Sequence, residues 1–160
     1  MSRFERWSPL VGVLTVALWI AGFAVISHNN PADHATDGRI LAWYKGNSNW
    51  VLSGGFLFML GCLAFLWFAT ILRERLDEAG AGRKASSLTF AGAIGATVLG
   101  ITIPLTEIAA AINKNDISAA TAGTAHRLSD GFFVGAEMAL VVVMEVRPTQ
   151  ARAAPIYEEP

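Results

Sequence analysis

Apolar residues gather into four long stretches separated by short polar connections. Trp7 to Ile26 is twenty residues without a charge. Gly46 to Leu72 carries none either, and its strongly apolar part begins at Trp50. Ala85 to Thr106 is uncharged, and the apolar pattern resumes after Glu107 as far as Ile112. Gly131 to Met144 is broken by Glu137 alone. A helix needs roughly 20 apolar residues, at ~1.5 Å each, to cross a hydrocarbon core of ~30 Å. Within that core a helix satisfies its own backbone hydrogen bonds, where water offers none. The pattern therefore predicts an all-α fold, a membrane bundle of four transmembrane helices. The spans fall at about 7–26, 50–72, 88–112 and 128–146 in one domain over 1–147, followed by a disordered cytoplasmic tail over 148–160.

The connections refine this picture. Arg3 and Arg6 before the first stretch resemble the basic start of a signal peptide. A cleaved signal has an apolar region of roughly 7–15 residues and then a small-residue cleavage site. Here the run is twenty long and ends Val25-Ile26-Ser27-His28, which predicts a retained helix. Asn29-Asn30-Pro31 marks a turn, since proline pushes the residue before it out of helical geometry. From Thr36, apolar Ile40, Leu41, Trp43 and Tyr44 recur at the one-sided spacing of an amphipathic helix. Thr36 or Asp37 is placed to cap it. Gly46-Asn47-Ser48-Asn49 then predicts a break, leaving a short outer amphipathic helix against the bundle or in the headgroups. Arg73 to Ser87 reads as a charged inner turn with no chemistry in it.

Composition and charge agree with a membrane class. The chain is 53% hydrophobic and 16% charged, against about 25% charged in soluble domains. Twelve basic against thirteen acidic residues argue against nucleic acid as a partner. The one cysteine, Cys62, lies mid-span, reads as a buried packing residue and excludes an internal disulfide. One side of the predicted bundle receives Arg3, Arg6, Arg73, Arg75, Arg83, Lys84, Arg147 and Arg152, and the other Arg39, Lys45, Lys114 and Arg127. The excess of Lys and Arg marks the cytoplasmic side. A multi-pass protein of the cell membrane is expected, with both termini inside and the 27–49 and 113–130 connections outside.

The stretch Asp37-Gly38-Arg39-Ile40-Leu41-Ala42-Trp43-Tyr44, followed by the span ending Phe65-Leu66-Trp67-Phe68-Ala69-Thr70-Ile71-Leu72-Arg73-Glu74-Arg75-Leu76, resembles a group of uncharacterised actinobacterial integral membrane proteins. The likeness covers about residues 10–140 in pattern and 33–76 residue by residue. It implies an integral membrane protein, with further helices after the fourth in those relatives, and no known activity.

Small residues predict the packing. Gly92, Ala96 and Gly100 form a ridge on the third span, and Gly131, Gly135 and Ala139 one on the fourth. Such ridges let membrane helices approach closely, so the two are expected to face each other, with a dimer surface as the alternative. Pro104 is expected to kink the third helix and free the carbonyl of Gly100.

Glu107 and Glu137 are the candidate functional residues. Intramembrane acids are costly and face cavities or bundle interiors. Both fall in the outer half at similar depth, which favours a shared proton or cation site. Their different helix faces argue against a direct dyad, and the bland alternative puts Glu107 at a wet rim and Glu137 on a neighbouring helix. His28, His34 and His126 all fall in outer connections, which disfavours a haem between helices. With Asp33, Asp37, Asp116 and Asp130 they form a pool of oxygen and nitrogen ligands, but no known metal spacing is present. No phosphate loop or nucleophile elbow occurs. The expectation is a non-enzymatic packing or partner subunit, with no catalytic, cofactor or metal site. Its partners would be the lipid bilayer and either another copy or another membrane protein. The alternatives are a small proton- or cation-coupled transporter using Glu107 and Glu137, or a membrane enzyme or metal protein using the outer His/Asp residues.

Overall fold

The computed structural model describes residues 3–32 and 34–145, with side chains from residue 10 to 144 within them. Four helices account for nearly all of this: α1 (Arg3–Ile26), α2 (Asp37–Glu78), α3 (Arg83–Ile112) and α4 (Ala119–Glu145). Among the described residues there is no strand. Two of the helices, α2 and α3, are long and apolar enough to cross a membrane. The 148–160 tail lies outside the described residues.

Short connections make the helices run alternately up and down. One end of the bundle, here called upper, therefore holds the end of α1, the start of α2, the end of α3 and the start of α4. The chain packs α1 along α2, α2 on both α3 and α4, and α3 on α4. Among the described residues, no backbone packing joins α1 to α3 or α4.

The expected amphipathic helix is present, but it is not separate. Residues 37–46 continue into the second span through a kink at Asn47 (φ −120°, ψ 15°), where the Asn47 Nδ2 bonds the Trp43 carbonyl at 3.1 Å. Gly46 and the asparagines bend the helix here rather than break it. The Thr36 carbonyl accepts the Arg39 and Ile40 amides, and its side chain makes no capping bond. The arm of α2 turns Ile40, Trp43 and Tyr44 inward, onto Val51, Ala110, Ala111 and Ala122 at the upper end. The Trp43 indole donates to the His28 carbonyl at 3.1 Å, tying the α1–α2 connection to the arm.

The closest helix contact is between α1 and α2. A Cβ added at Gly22 would stand 2.6 Å from the Phe58 amide nitrogen, and one added at Gly54 would collide with the Ile26 backbone. Glycine is required at both because backbone fills the place of its side chain. Gly55 likewise admits α3, a Cβ there lying 3.2 Å from Pro104 Cβ. Helix α3 runs through Pro104, which is fully buried against this contact.

The predicted ridges are only partly opposed. Gly92 meets Ala139 and Val143 of α4, and Ala96 shares a packed cluster with Ala139. Gly100 instead faces Cys62 of α2, Gly135 meets only the tip of Leu99, and Gly131 has nothing within 4 Å.

The interior mixes small and polar residues with a few large apolar ones such as Trp43, Tyr44 and Phe65, while many large apolar side chains lie outside. Buried positions include Thr15, Ser48, Ser86, Thr89, Thr97, Glu107 and Ser129, and several alanines. Leu14 and Ile20 of α1, Phe56 and Trp67 of α2, Ile94 and Val98 of α3, and Val134 and Met138 of α4 are all exposed. The hydroxyls of Thr15, Thr89, Thr97 and Thr102 return to the carbonyl four residues earlier, so none needs solvent.

Candidate functional site

Glu107 lies in the last turns of α3, and the arm of α2 closes over it. It is 4% exposed. The Tyr44 hydroxyl, from the arm, donates to its Oε2 at 2.5 Å. From α4, Ser129 Oγ donates to Oε1 at 2.5 Å, and His126 Nδ1 lies 3.0 Å from the same oxygen. An ionised carboxylate only accepts, so Nδ1 carries the proton in either charge state of the ring. Gain or loss of a proton therefore occurs at Nε2, which has no hydrogen-bond partner among the described residues.

Three donors from two other helices satisfy one buried charge, the condition under which burial is tolerable. His126 is in turn held by aromatic rings, with Trp43 at 5.8 Å and Tyr44 edge-on at 6.4 Å. The bond to Glu107 raises its pKa above the ordinary imidazole range. Burial opposes that rise, Asp130 adds to it and Arg127 works against it.

The arm is pinned beside this centre by an ion pair, Arg127 to Asp37 at 3.0 Å. Asp37 sits so close over Gly123 that a Cβ there would strike its carboxylate. Lys114, from the α3–α4 connection, donates to Ser48 Oγ at 2.5 Å.

Glu107, His126, Ser129 and Asp130 line a cavity of about 170 Å³, with Ser27, Asn30 and Trp43 among its other walls. Below it lies an apolar cleft of about 410 Å³ between α1 and α4, floored by α2 and α3. Phe23, Phe58, Ile103 and Phe133 line both. The Phe23 and Phe133 rings, 6.1 Å apart, bridge from α1 to α4 there.

Glu137 lines the lower cleft, not the upper cavity. It is exposed, with no hydrogen bond or ion pair among the described residues. Ser129, which touches Glu107, precedes it by eight residues, or ~12 Å of helix. The two acids thus occupy adjoining compartments. Glu107 is enclosed rather than at a wet rim.

The outer His/Asp pool is dispersed. His28 packs on Trp50 at 4.6 Å, His34 and Asp116 are exposed, Asp37 holds Arg127 and His126 holds Glu107. No group of three potential metal ligands converges among the described residues, and Asp33 lies outside them. The expected outer connection over 113–130 is shorter than its sequence pattern implies, because α4 begins at Ala119 and carries His126 on its second turn. Tyr44, His126 and Ser129 were not legible as partners of Glu107, being separated from it by 63, 19 and 22 positions. The inward spacing of Tyr44 in the amphipathic arm was the available signal.

No protein-family model, curated protein or solved structure matches this chain.

Proposed function

We propose that this chain is a four-span protein of the cell membrane, with cytoplasmic termini, that works as a small proton-linked carrier rather than an enzyme. The single observation that carries this reading is the buried Glu107 carboxylate, held by Tyr44, Ser129 and His126 at the wall of a cavity. The four-span part is supported by large apolar side chains exposed on all four helices. Such a girdle would be an aggregation surface in water and is an ordinary lipid-facing surface in a bilayer. The 8 to 4 distribution of basic residues supports the orientation.

In this reading Glu107 and His126 form a clasp between α3 and α4, with Tyr44 bringing in the arm of α2. Protonation at His126 Nε2 makes the pair oppositely charged and draws the upper end shut. Loss of that proton weakens the clasp and opens the cavity to the outside. Glu107, Asp130 and Arg127 are the charges that set the balance, and Tyr44 faces the pair from α2.

Thiol labelling tests the gate. A cysteine replacing Ser27, in the cavity wall, is compared with one at exposed Asn29 by an impermeant reagent. The ratio of their rates should rise with pH, and Glu107→Gln should abolish the rise. A ratio independent of pH in the parent rules the clasp out as a gate.

A second reading, as a packing or partner subunit, is favoured by Gly131, whose small face has no neighbour within 4 Å. A cysteine at Gly131 forming a specific crosslink in membranes would select it.

A further inference from the structure

The upper cavity is polar towards its outer end and apolar below. Ser27, Asn30, His126 and Asp130 stand in its wall with Glu107, and Phe23, Phe58 and Phe133 continue beneath them. At about 170 Å³ it is smaller than the ~300–1,000 Å³ of cavities that take drug-sized molecules. It therefore suits an occupant of a few heavy atoms.

Two acceptors in this wall have no partner. In the neutral ring His126 keeps its proton on Nδ1, against Glu107, so Nε2 offers a lone pair. The Asp130 side chain makes no hydrogen bond or ion pair among the described residues. It follows His126 by four positions and shares its face of α4. Its negative charge is felt at both His126 and Tyr44, raising the pKa of each, which directs the carboxylate towards that pair. The surrounding charges leave the cavity negative. Glu107 comes from α3 and Asp130 from α4, while Arg127 of α4 is engaged by Asp37 of the arm. The hydroxyl of Tyr44 is spent on Glu107. The α1–α2 connection adds neutral Ser27 and Asn30, and the His28 ring packs on Trp50 instead.

Such a wall favours a cation that brings N–H donors and an apolar body. Hard inorganic cations take oxygen ligands, and an imidazole nitrogen serves them poorly. No group of three potential metal ligands converges among the described residues. Phenylalanine faces attract an ammonium group and cover its carbon chain.

We infer that the upper cavity binds a small primary alkylammonium ion in place of the proton on His126 Nε2, with Asp130 as its counter-ion. Protonation turns Nε2 from acceptor to donor and sets a positive charge beside the ammonium seat, so the two cations exclude each other. A primary ammonium, with a pKa near the ~10.4 of lysine, stays charged while an imidazole titrates.

This rests on the carrier reading and names its substrate class, with one proton exchanged for one ammonium ion. The probe is radiolabelled n-butylammonium, dialysed to equilibrium against the full-length protein in detergent, with empty micelles as blank. Neutral n-butanol, of the same chain length, is measured in parallel. At about pH 9 the parent should bind butylammonium saturably and at least tenfold more tightly than butanol. At about pH 5.5 its affinity for butylammonium should fall at least tenfold, and His126→Gln should vary less than about twofold between the two. Asp130→Asn should lose at least tenfold at the higher pH, and circular dichroism verifies its fold. Equal affinity for butylammonium and butanol in the parent overturns the inference. So does undiminished binding in Asp130→Asn, or a parent affinity that does not change with pH. The thiol-labelling gate is read without butylammonium, so a failed gate with this binding pattern intact faults the carrier reading alone.

Discussion

His126 Nδ1 stands 3.0 Å from Glu107 Oε1, joining the start of α4 to the end of α3 across 19 positions of chain. The same oxygen receives Ser129, and the other receives Tyr44 from the arm of α2. Three helices are thus gathered on one carboxylate, and its donors become the natural places to perturb.

Removing a donor leaves Glu107 buried and under-supplied. Ser129→Ala and Tyr44→Phe should each destabilise the fold by about 1–3 kcal/mol. Glu107→Gln should make the Tyr44→Phe change cheaper, because the partner charge has gone. Chemical denaturation in detergent, read as a double-mutant cycle, measures this coupling, expected at roughly 0.5–3 kcal/mol. Strict additivity would mean that the hydroxyl and carboxylate do not interact.

Stability should also depend on pH through His126. Its folded-state pKa is raised by Glu107 above the unfolded value of ~6.5. The folded state therefore binds the proton more tightly than the unfolded chain does. The stabilisation is fully present below about pH 6.5 and is lost as pH rises through the higher folded value. Thermal unfolding of the parent should weaken over that interval, and His126→Gln should not share the decline. Parallel profiles for the two proteins would remove His126 from the account.

The α1–α2 contact makes a purely steric prediction. Gly54→Ala places a methyl group into the Ile26 backbone and Gly22→Ala one into Phe58. Each should cost about 1–3 kcal/mol, the usual penalty of overpacking. Gly38→Ala, with nothing within 4 Å, should be neutral or slightly stabilising. Melting temperatures of the three variants in one detergent provide the comparison, and equal losses would contradict the contact.

For topology, a cysteine at Asn29 should be labelled by an impermeant reagent in intact cells, and one at Lys84 only after permeabilisation. Buried Cys62 supplies the unlabelled baseline. The inverse pattern would place both termini outside.

Much of the fold was legible because it depends on local runs. Trp7–Ile26 and Ala85–Thr106 read as helices from charge-free length alone, and the spacing of Ile40, Trp43 and Tyr44 revealed the arm. What escaped depends on contacts between distant positions. Gly22 shares its run only with Gly12, and nothing near it says that Gly54 will meet it. The small ridges of α3 and α4 looked matched, yet Gly100 meets Cys62 because α2 occupies the space between. Asn47 bends a helix that its flanking glycine and asparagines seemed to end, since the inward packing of Tyr44 and Val51 holds both sides together. Glu107 and Glu137 stood out in the sequence as the acids that interrupt apolar runs. Their different helix faces already hinted at the separate compartments they line.

Among the described residues, helix α2 is the one element that packs on all three others, and this has a consequence for biosynthesis. The α1–α2 hairpin can complete its glycine contact as soon as both segments have left the ribosome, before α3 exists. Glu107 then enters with only Tyr44 available, and it lacks two of its three donors until α4 is made. The last-synthesised helix is thus the one that quiets the buried charge. A chain arrested or truncated before His126 would expose that defect to cellular quality control, while its first hairpin was already sound.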